Sequence, residues 1–115
     1  MARVLVVDDD DATRLTLRQA LEHAGHEVSE ARDGALALTL AQACDVVVMD
    51  IVMPVKGGLE TLIELRGTRP RMGVVLMSGH VGDLPDALAD KVARWVRKPF
   101  EMSELVAAVE AVVGV

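Results

Sequence analysis

Short apolar runs alternate along the chain with longer segments in which apolar residues recur every three or four positions. The runs occur at residues 4–7, 46–49 and 74–77, with weaker and more mixed runs at 27–30 and 94–97. Continuous β-branched runs without polar alternation are typical of strands that are buried on both faces of a sheet. We therefore predict five short strands.

The segments between these runs have the periodicity of amphipathic helices. In the first segment Thr13, Leu17 and Leu21 share one helical face, and Gly25 provides a stop. Further helices are predicted at 34–43, 59–66, 83–91 and 102–113. Because strands and helices alternate regularly, we expect an α/β fold in which a parallel sheet carries helices on both faces, with right-handed crossovers.

The candidate chemistry lies immediately after the predicted strands. Asp8 and Asp9 follow the first strand, Asp50 ends the third, Ser78 ends the fourth and Lys98 follows the fifth. In an open parallel sheet, ligands bind beyond the carboxyl ends of the strands. We therefore expect three carboxylates, one hydroxyl and one amine to converge on a single edge of the sheet.

This combination of groups suits phosphoryl transfer. Clustered carboxylates favour a hard cation such as Mg²⁺ or Mn²⁺, and a carboxylate can attack phosphorus to form an aspartyl phosphate. The Lys98 ammonium, the Ser78 hydroxyl and the metal could each meet one phosphoryl oxygen. Taken singly, an Asp or Ser after a strand is more often a turn or helix-cap residue, and Lys98 could be a solvated surface residue. Capping is the role we assign to Asp10 and Asp11.

Composition narrows the possible partners. The 115 residues carry a net charge of -6, which argues against direct contact with nucleic acid or an anionic membrane. Cys44 is the single cysteine, so an internal disulfide is excluded, which fits a reducing cytoplasm. We expect Cys44 to be a small buried residue. We predict one domain over residues 1–115, with no signal peptide and no membrane span.

Four stretches together resemble a response regulator receiver domain of two-component signalling, similar to the chemotaxis regulators. They are VLVVDDD, VVVMDIVMP, VVLMSGH and WVRKPF, and the resemblance extends over essentially the whole chain. It implies a flavodoxin-like, doubly wound sheet with strand order 2-1-3-4-5. It also implies a phosphorylation-activated switch that uses Mg²⁺ or Mn²⁺ and catalyses only its own phosphoryl transfer and slow autodephosphorylation.

The resemblance assigns roles to individual residues. Asp50 would be the phosphoacceptor, and Ser78 and Lys98 would contact the phosphoryl group. The metal would be held by Asp8, Asp9, Asp50 and the backbone carbonyl of Val52. The phosphoryl donor would be a sensor histidine kinase or a histidine phosphotransfer protein.

Further implied roles concern the switch and its supporting structure. Ser78 and Trp95 would change the surface of the fourth helix, the fifth strand and the fifth helix, where an effector or a second copy would bind. Pro54, Gly58 and Pro99 would be structural, with a cis peptide bond before Pro99. The sequence departs from the family at three places. The family often has Asp or Asn at the position of Gly57 and Gly-Ala at positions 91–92. At the position of Trp95 the family more often has Tyr or Phe.

Other interpretations stay open. Residues 9–13 fit the DxDxT pattern of haloacid-dehalogenase-type phosphatases, in which Asp9 would be the nucleophile, although the acidic pair expected after the lysine is missing. A phosphate-independent interaction domain on the same fold is a second alternative. His80 could orient a hydrolytic water or be a solvated loop residue, and we expect His23 and His26 to lie on the surface.

Overall fold

A five-stranded parallel sheet forms the centre of the molecule, with strand order β2-β1-β3-β4-β5. The computed structural model describes residues 2–53, 55–79 and 94–113. The strands are β1 (Arg3–Val7), β2 (Glu27–Ala31), β3 (Val46–Asp50), β4 (Gly73–Ser78) and β5 (Arg94–Arg97). The predicted flavodoxin-like architecture is thereby confirmed, and every predicted strand is present within a residue or so of its expected bounds.

Four helices lie among the described residues. They are α1 (Asp11–His23), α2 (Gly34–Leu40, followed by a 3₁₀ turn at Ala41–Ala43), α3 (Gly58–Thr68) and the C-terminal helix (Met102–Val112). Asp10 caps α1 by accepting hydrogen bonds from the Thr13 N–H and hydroxyl. Gly25 follows α1 with a φ of 97°, as its predicted role as a stop requires. The helix predicted at 83–91 falls outside the described residues.

Each face of the sheet has its own apolar layer, because successive side chains of a strand point to opposite faces. The layer beneath α2 and α3 contains Leu5, Val7, Val47, Met49, Val74, Leu76, Leu62 and Leu65. The layer beneath α1 and the C-terminal helix contains Val4, Val6, Val48, Val75, Met77, Leu17, Leu21 and Leu105. Double-sided burial explains why the central strands are apolar without alternation.

The C-terminal helix extends from the carboxyl ends of the strands to their amino ends. It begins shortly after Lys98, and its last residue, Val112, packs against Gly73 at the amino end of β4. Near that end, Glu110 lies 3.4 Å from Nε2 of His26. The helix therefore spans the full length of the strands.

His26 contradicts the expectation that it lies on the surface. Its side chain is only 6% exposed, and its Nδ1 accepts a hydrogen bond of 3.1 Å from the Ala2 N–H. The ring is buried because it joins the amino ends of β1 and β2 to the C-terminal helix. Cys44, in contrast, is buried as predicted. Within the described ranges, no helix combines the length and apolar character that crossing a membrane requires.

Candidate functional site

The register of the sheet brings the acidic residues together. Val7 of β1 pairs with Met49 of β3, so the next residues, Asp8 and Asp50, lie side by side where the two strands end. One carboxylate oxygen from each of Asp8, Asp9 and Asp50 lies within 4.8 Å of the others. The predicted convergence of three carboxylates at the carboxyl edge is confirmed as a geometric fact.

Asp8 is the buried member of this cluster, with 2% of its surface exposed. Its Oδ1 accepts a hydrogen bond of 2.9 Å from the Asp10 N–H, whereas its Oδ2 is buried without a hydrogen-bond partner among the described residues. Burial raises the pKa of Asp8, the Asp10 N–H opposes that rise, and the neighbouring Asp50 carboxylate adds to it. A buried carboxylate that has one unsatisfied oxygen and lies beside two further carboxylates fits a divalent cation.

Asp50 is held from two sides. Its Oδ2 accepts a hydrogen bond of 2.7 Å from the Lys98 ammonium, and its Oδ1 accepts one of 3.1 Å from the Val52 N–H. The Asp50 side chain is 13% exposed, against 37% for Lys98. A carboxylate that is oriented, partly desolvated and open at one side can reach an incoming electrophile.

Ser78 and Lys98 lie at the carboxyl ends of neighbouring strands. Ser78 ends β4 and is buried, and its backbone carbonyl accepts a hydrogen bond of 2.7 Å from the Lys98 N–H. The peptide bond between Lys98 and Pro99 is cis, as the family resemblance implied. Lys98 is thus fixed through its main chain to β4 while its side chain extends to Asp50 on β3.

The loop after β3 is packed too tightly for a side chain at Gly58. A Cβ there would lie 2.4 Å from the Asp50 carbonyl oxygen, and the Gly58 N–H donates to the Ile51 carbonyl at 2.8 Å. Only glycine permits this approach, which supports the predicted structural role of Gly58. Val52 is 74% exposed, so its side chain lies largely in solvent. Pro54 lies outside the described residues, as does His80.

Trp95 lies on β5 opposite Leu76 of β4. Its side chain packs, partly buried, against the apolar layer beneath α2 and α3, and its Nε1 is buried without a hydrogen-bond partner among the described residues. Its predicted role as a switch residue stays a prediction.

Arg14 is a residue that sequence reasoning did not single out. Its Nη1 donates a hydrogen bond of 2.7 Å to the Asp8 carbonyl, and its other donors bind Glu30 and Asp11. The available signal was weak, since an Arg three residues after Asp11 predicts only an ordinary helical ion pair.

The geometry disfavours the phosphatase alternative. In the DxDxT pattern, Asp11 would have to face the substrate beside Asp9. Here the Asp11 side chain is 90% exposed and pairs with Arg14, and Asp10 is occupied in capping α1. The second acid of that pattern is therefore not directed at the cluster.

Comparisons with known proteins agree with the geometry. The family model described as the response regulator receiver domain matches residues 4–110. Response regulator MprA of Mycobacterium tuberculosis is 35% identical over 95% of this chain and 49% of its own length. The transcriptional regulatory protein FixJ of Azorhizobium caulinodans is 38% identical over 96% of this chain and 54% of its own length. The chain thus spans about half the length of these relatives.

Solved structures give the same match. A receiver domain from Clostridium thermocellum has a TM-score of 0.90 at 27% identity, covering 98% of this chain and 94% of that one. The response regulator TrrA of Thermotoga maritima, solved in complex with Mg²⁺-BeF, has a TM-score of 0.88 at 31% identity, covering 97% of this chain and 99% of that one. The likeness therefore covers nearly the whole of both of these chains.

Proposed function

The chain belongs to the response regulator receiver domain family, a family of signalling domains that act with histidine kinases, and on this basis we propose that it is a phosphorylation-activated switch. Asp50 accepts a phosphoryl group from the phosphohistidine of a histidine kinase or histidine phosphotransfer protein. The observation that carries this proposal is the Asp50 carboxylate, bonded to Lys98 and Val52 within the Asp8–Asp9–Asp50 cluster.

In the proposed reaction an oxygen of Asp50 attacks phosphorus, the bond from phosphorus to the histidine nitrogen breaks, and the imidazole leaves with that electron pair. Lys98 is the group that balances the charge of the incoming phosphoryl oxygens, since it already lies 2.7 Å from Oδ2 of Asp50. Ser78 is buried at the end of β4, and its hydroxyl donates a hydrogen bond to a phosphoryl oxygen. Positioning and charge stabilisation supply most of the catalysis in phosphoryl transfer.

The donor set fits Mg²⁺ or Mn²⁺. Asp8, Asp9, Asp50 and the backbone carbonyl of Val52 would hold the ion, and the buried Oδ2 of Asp8 is the oxygen that most needs it. When bound, the ion neutralises the charge that otherwise opposes the approach of a phosphoryl group to three carboxylates. Mg²⁺ is present in the TrrA complex, which supports the same choice here.

We further propose that phosphorylation alters the surface of β5, the C-terminal helix and the predicted fourth helix, the last of which falls outside the described residues. Converting a two-state population from 1:99 to 99:1 takes about 5.5 kcal/mol, whereas one charge-assisted hydrogen bond contributes about 1.5–3 kcal/mol. Ser78 alone is therefore insufficient, and Lys98, the metal and repacking of Trp95 must share the work. We propose that an effector or a second copy of the chain binds this surface.

From the sequence we also propose that residues 1–115 form one receiver domain, that its location is cytoplasmic, and that it catalyses no reaction beyond its own phosphorylation and slow dephosphorylation. The alternative that a specific observation could favour is a phosphate-independent interaction domain. It would be supported if the chain bound a partner equally well with Asp50 intact or replaced.

The test is phosphorylation by acetyl phosphate, with and without Mg²⁺, followed by mass spectrometry. We expect the wild-type chain to gain one phosphoryl group only with Mg²⁺, and Asp50→Asn to gain none. Asp45→Asn is the matched control, because it removes an exposed carboxylate at the other end of β3, and it should react like the wild type. Equal phosphorylation of Asp50→Asn and wild type would refute the assignment of Asp50.

A phosphomonoester assay separates the enzyme alternative from the switch. Sustained turnover that is lost in Asp9→Asn but kept in Asp50→Asn would support the phosphatase. We expect no sustained turnover from either variant or from the wild type.

A further inference from the structure

Arg14 joins three elements beside the acidic cluster. From the first turns of α1 it donates through Nη1 to the Asp8 carbonyl at 2.7 Å and through Nε to Glu30 of β2 at 3.2 Å. It also pairs with Asp11. Only 13% of its side chain is exposed, so this is a built-in contact rather than a surface ion pair.

The Asp8 carbonyl belongs to the peptide unit that links Asp8 to Asp9. Fixing that oxygen fixes the plane of the peptide and hence the directions in which the two side chains leave the backbone. The Asp8 N–H is also fixed, because it donates to the Ala31 carbonyl at 3.1 Å. With both main-chain groups held, the carboxylates of Asp8 and Asp9 cannot easily turn away from Asp50.

Arg14 is itself held in place. Glu30 accepts from Arg14 through Oε1 and from Arg18 through Oε2, the latter at 2.7 Å. Arg18 in turn binds Glu22 one helical turn further along. A planar guanidinium with several partners is pre-organised to hold one orientation.

We propose that Arg14 is a positioning residue for the metal site: it holds the Asp8–Asp9 peptide so that both carboxylates face one cation before the cation arrives. This inference rests on the proposed function, because it requires that the acidic cluster bind a divalent ion. Partners that orient metal ligands typically contribute about 10- to 100-fold to metal affinity.

Geometry and charge predict opposite effects for Arg14, which makes the proposal testable. If Arg14 acted only as a positive charge, its removal would tighten cation binding, because one repulsive charge would be lost. If it orients the ligands, its removal weakens binding. Arg18 is the matched control, since it carries the same charge and also bonds to Glu30, but its other hydrogen bond goes to Glu22 rather than to the Asp8 carbonyl.

The experiment measures Mn²⁺ affinity of the full chain by electron paramagnetic resonance, with folding checked by circular dichroism. We expect Arg14→Gln to weaken Mn²⁺ binding by about tenfold. Arg18→Gln should stay within about twofold of the wild type, since its charge is more exposed and screened. Arg14→Lys keeps the charge, but a single ammonium cannot replace the separate Arg14 hydrogen bonds to the Asp8 carbonyl and Glu30. Its Mn²⁺ affinity should therefore lie between those of the wild type and Arg14→Gln.

A second measurement follows the Asp9 amide by ¹⁵N nuclear magnetic resonance without metal. Its resonance should shift in both Arg14 variants and stay in place in Arg18→Gln. Unchanged or tighter Mn²⁺ binding by Arg14→Gln, or equal weakening in Arg14→Gln and Arg18→Gln, would overturn the positioning role while leaving the metal site intact. If the wild type binds no Mn²⁺, the metal-dependent function falls and this inference with it. If Arg14→Gln does not fold, Arg14→Lys decides, and wild-type affinity in it would be the contrary result.

Discussion

The Lys98 ammonium lies 2.7 Å from Oδ2 of Asp50, while the Lys98 N–H is bonded to the Ser78 carbonyl at the same distance. One residue of the loop after β5 thus contacts both neighbouring strands that border the site. This double attachment fixes where the ammonium lies, and it supports the proposed role of Lys98 as the cation that meets a phosphoryl group on Asp50.

Replacing Lys98 with Gln should slow phosphorylation of Asp50 by acetyl phosphate. Loss of a charge-assisted hydrogen bond costs about 1.5–3 kcal/mol, which corresponds to a roughly 10- to 150-fold lower rate. Lys56→Gln is the control, because Lys56 pairs with Glu64 of α3 and should leave the rate unchanged. A Lys98→Gln rate within twofold of wild type would contradict the role of the ammonium.

Replacing Asp8 with Asn should stabilise the metal-free protein at neutral pH. The pKa of Asp8 is raised in the folded state, chiefly by burial, so the folded protein holds this proton to higher pH than the unfolded chain does. Stability is therefore lost as pH rises from the ordinary value of 3.8 through the raised folded value. Asp8→Asn cannot lose a proton and escapes this loss.

Urea unfolding in EDTA at several pH values measures that effect. The stability advantage of Asp8→Asn over wild type should be absent at acid pH, grow as pH rises and then level off. Added Mg²⁺ should stabilise the wild type and have much less effect on Asp8→Asn. Asp11→Asn removes an exposed carboxylate and serves as the control. A wild type that is more stable than Asp8→Asn at pH 8 in EDTA would show that burial of the charge is not costly.

Val55 adopts a φ of 66° in the loop after β3 although it is a β-branched residue. The left-handed conformation costs an ordinary L-residue about 1–2 kcal/mol, whereas Asn tolerates it. Because Val55 is 85% exposed, its replacement removes no core packing. We expect Val55→Asn to raise the free energy of unfolding by about 1 kcal/mol. Val52 is also exposed but has no positive φ, so Val52→Asn should give no such gain.

Two glycines of α3 should respond in opposite ways to alanine. A Cβ at Gly58 would meet the Asp50 carbonyl oxygen at 2.4 Å and the Ile51 Cα at 2.8 Å, whereas one at Gly67 would meet nothing within 4 Å. Gly58→Ala should therefore destabilise by about 1–3 kcal/mol through overpacking and slow phosphorylation by displacing Asp50. Gly67→Ala should stabilise by about 0.5–1 kcal/mol. Thermal unfolding of both variants decides, and equal effects would refute the close-packing argument.

The sheet and the acidic cluster could be predicted because both follow from simple rules. Continuous apolar runs indicate doubly buried strands, and parallel strands bring the residues at their ends to one edge. Asp8 lies beside Asp50 as a direct consequence of that arrangement. No long side chain has to be placed to reach this conclusion.

Arg14 and His26 could not be predicted, because their positions depend on contacts between elements distant in sequence. Arg14 reaches the Asp8 carbonyl and Glu30 only once α1 packs on β1 and β2. His26 is buried because the Ala2 N–H and the C-terminal helix enclose its ring. Local periodicity carries no information on how far a flexible polar side chain will extend once helices dock on the sheet.

The C-terminal helix has a mechanical consequence for the whole domain. Eleven residues at a rise of about 1.5 Å each give a rod of roughly 16 Å, with one end near Lys98 and the other against Gly73 and His26. A tilt imposed on its first turn must displace its last turn as well, because a packed helix does not bend easily. If phosphorylation of Asp50 tilts the first turn, the amino ends of the strands should move too, and the buried His26 ring is where nuclear magnetic resonance would detect that movement.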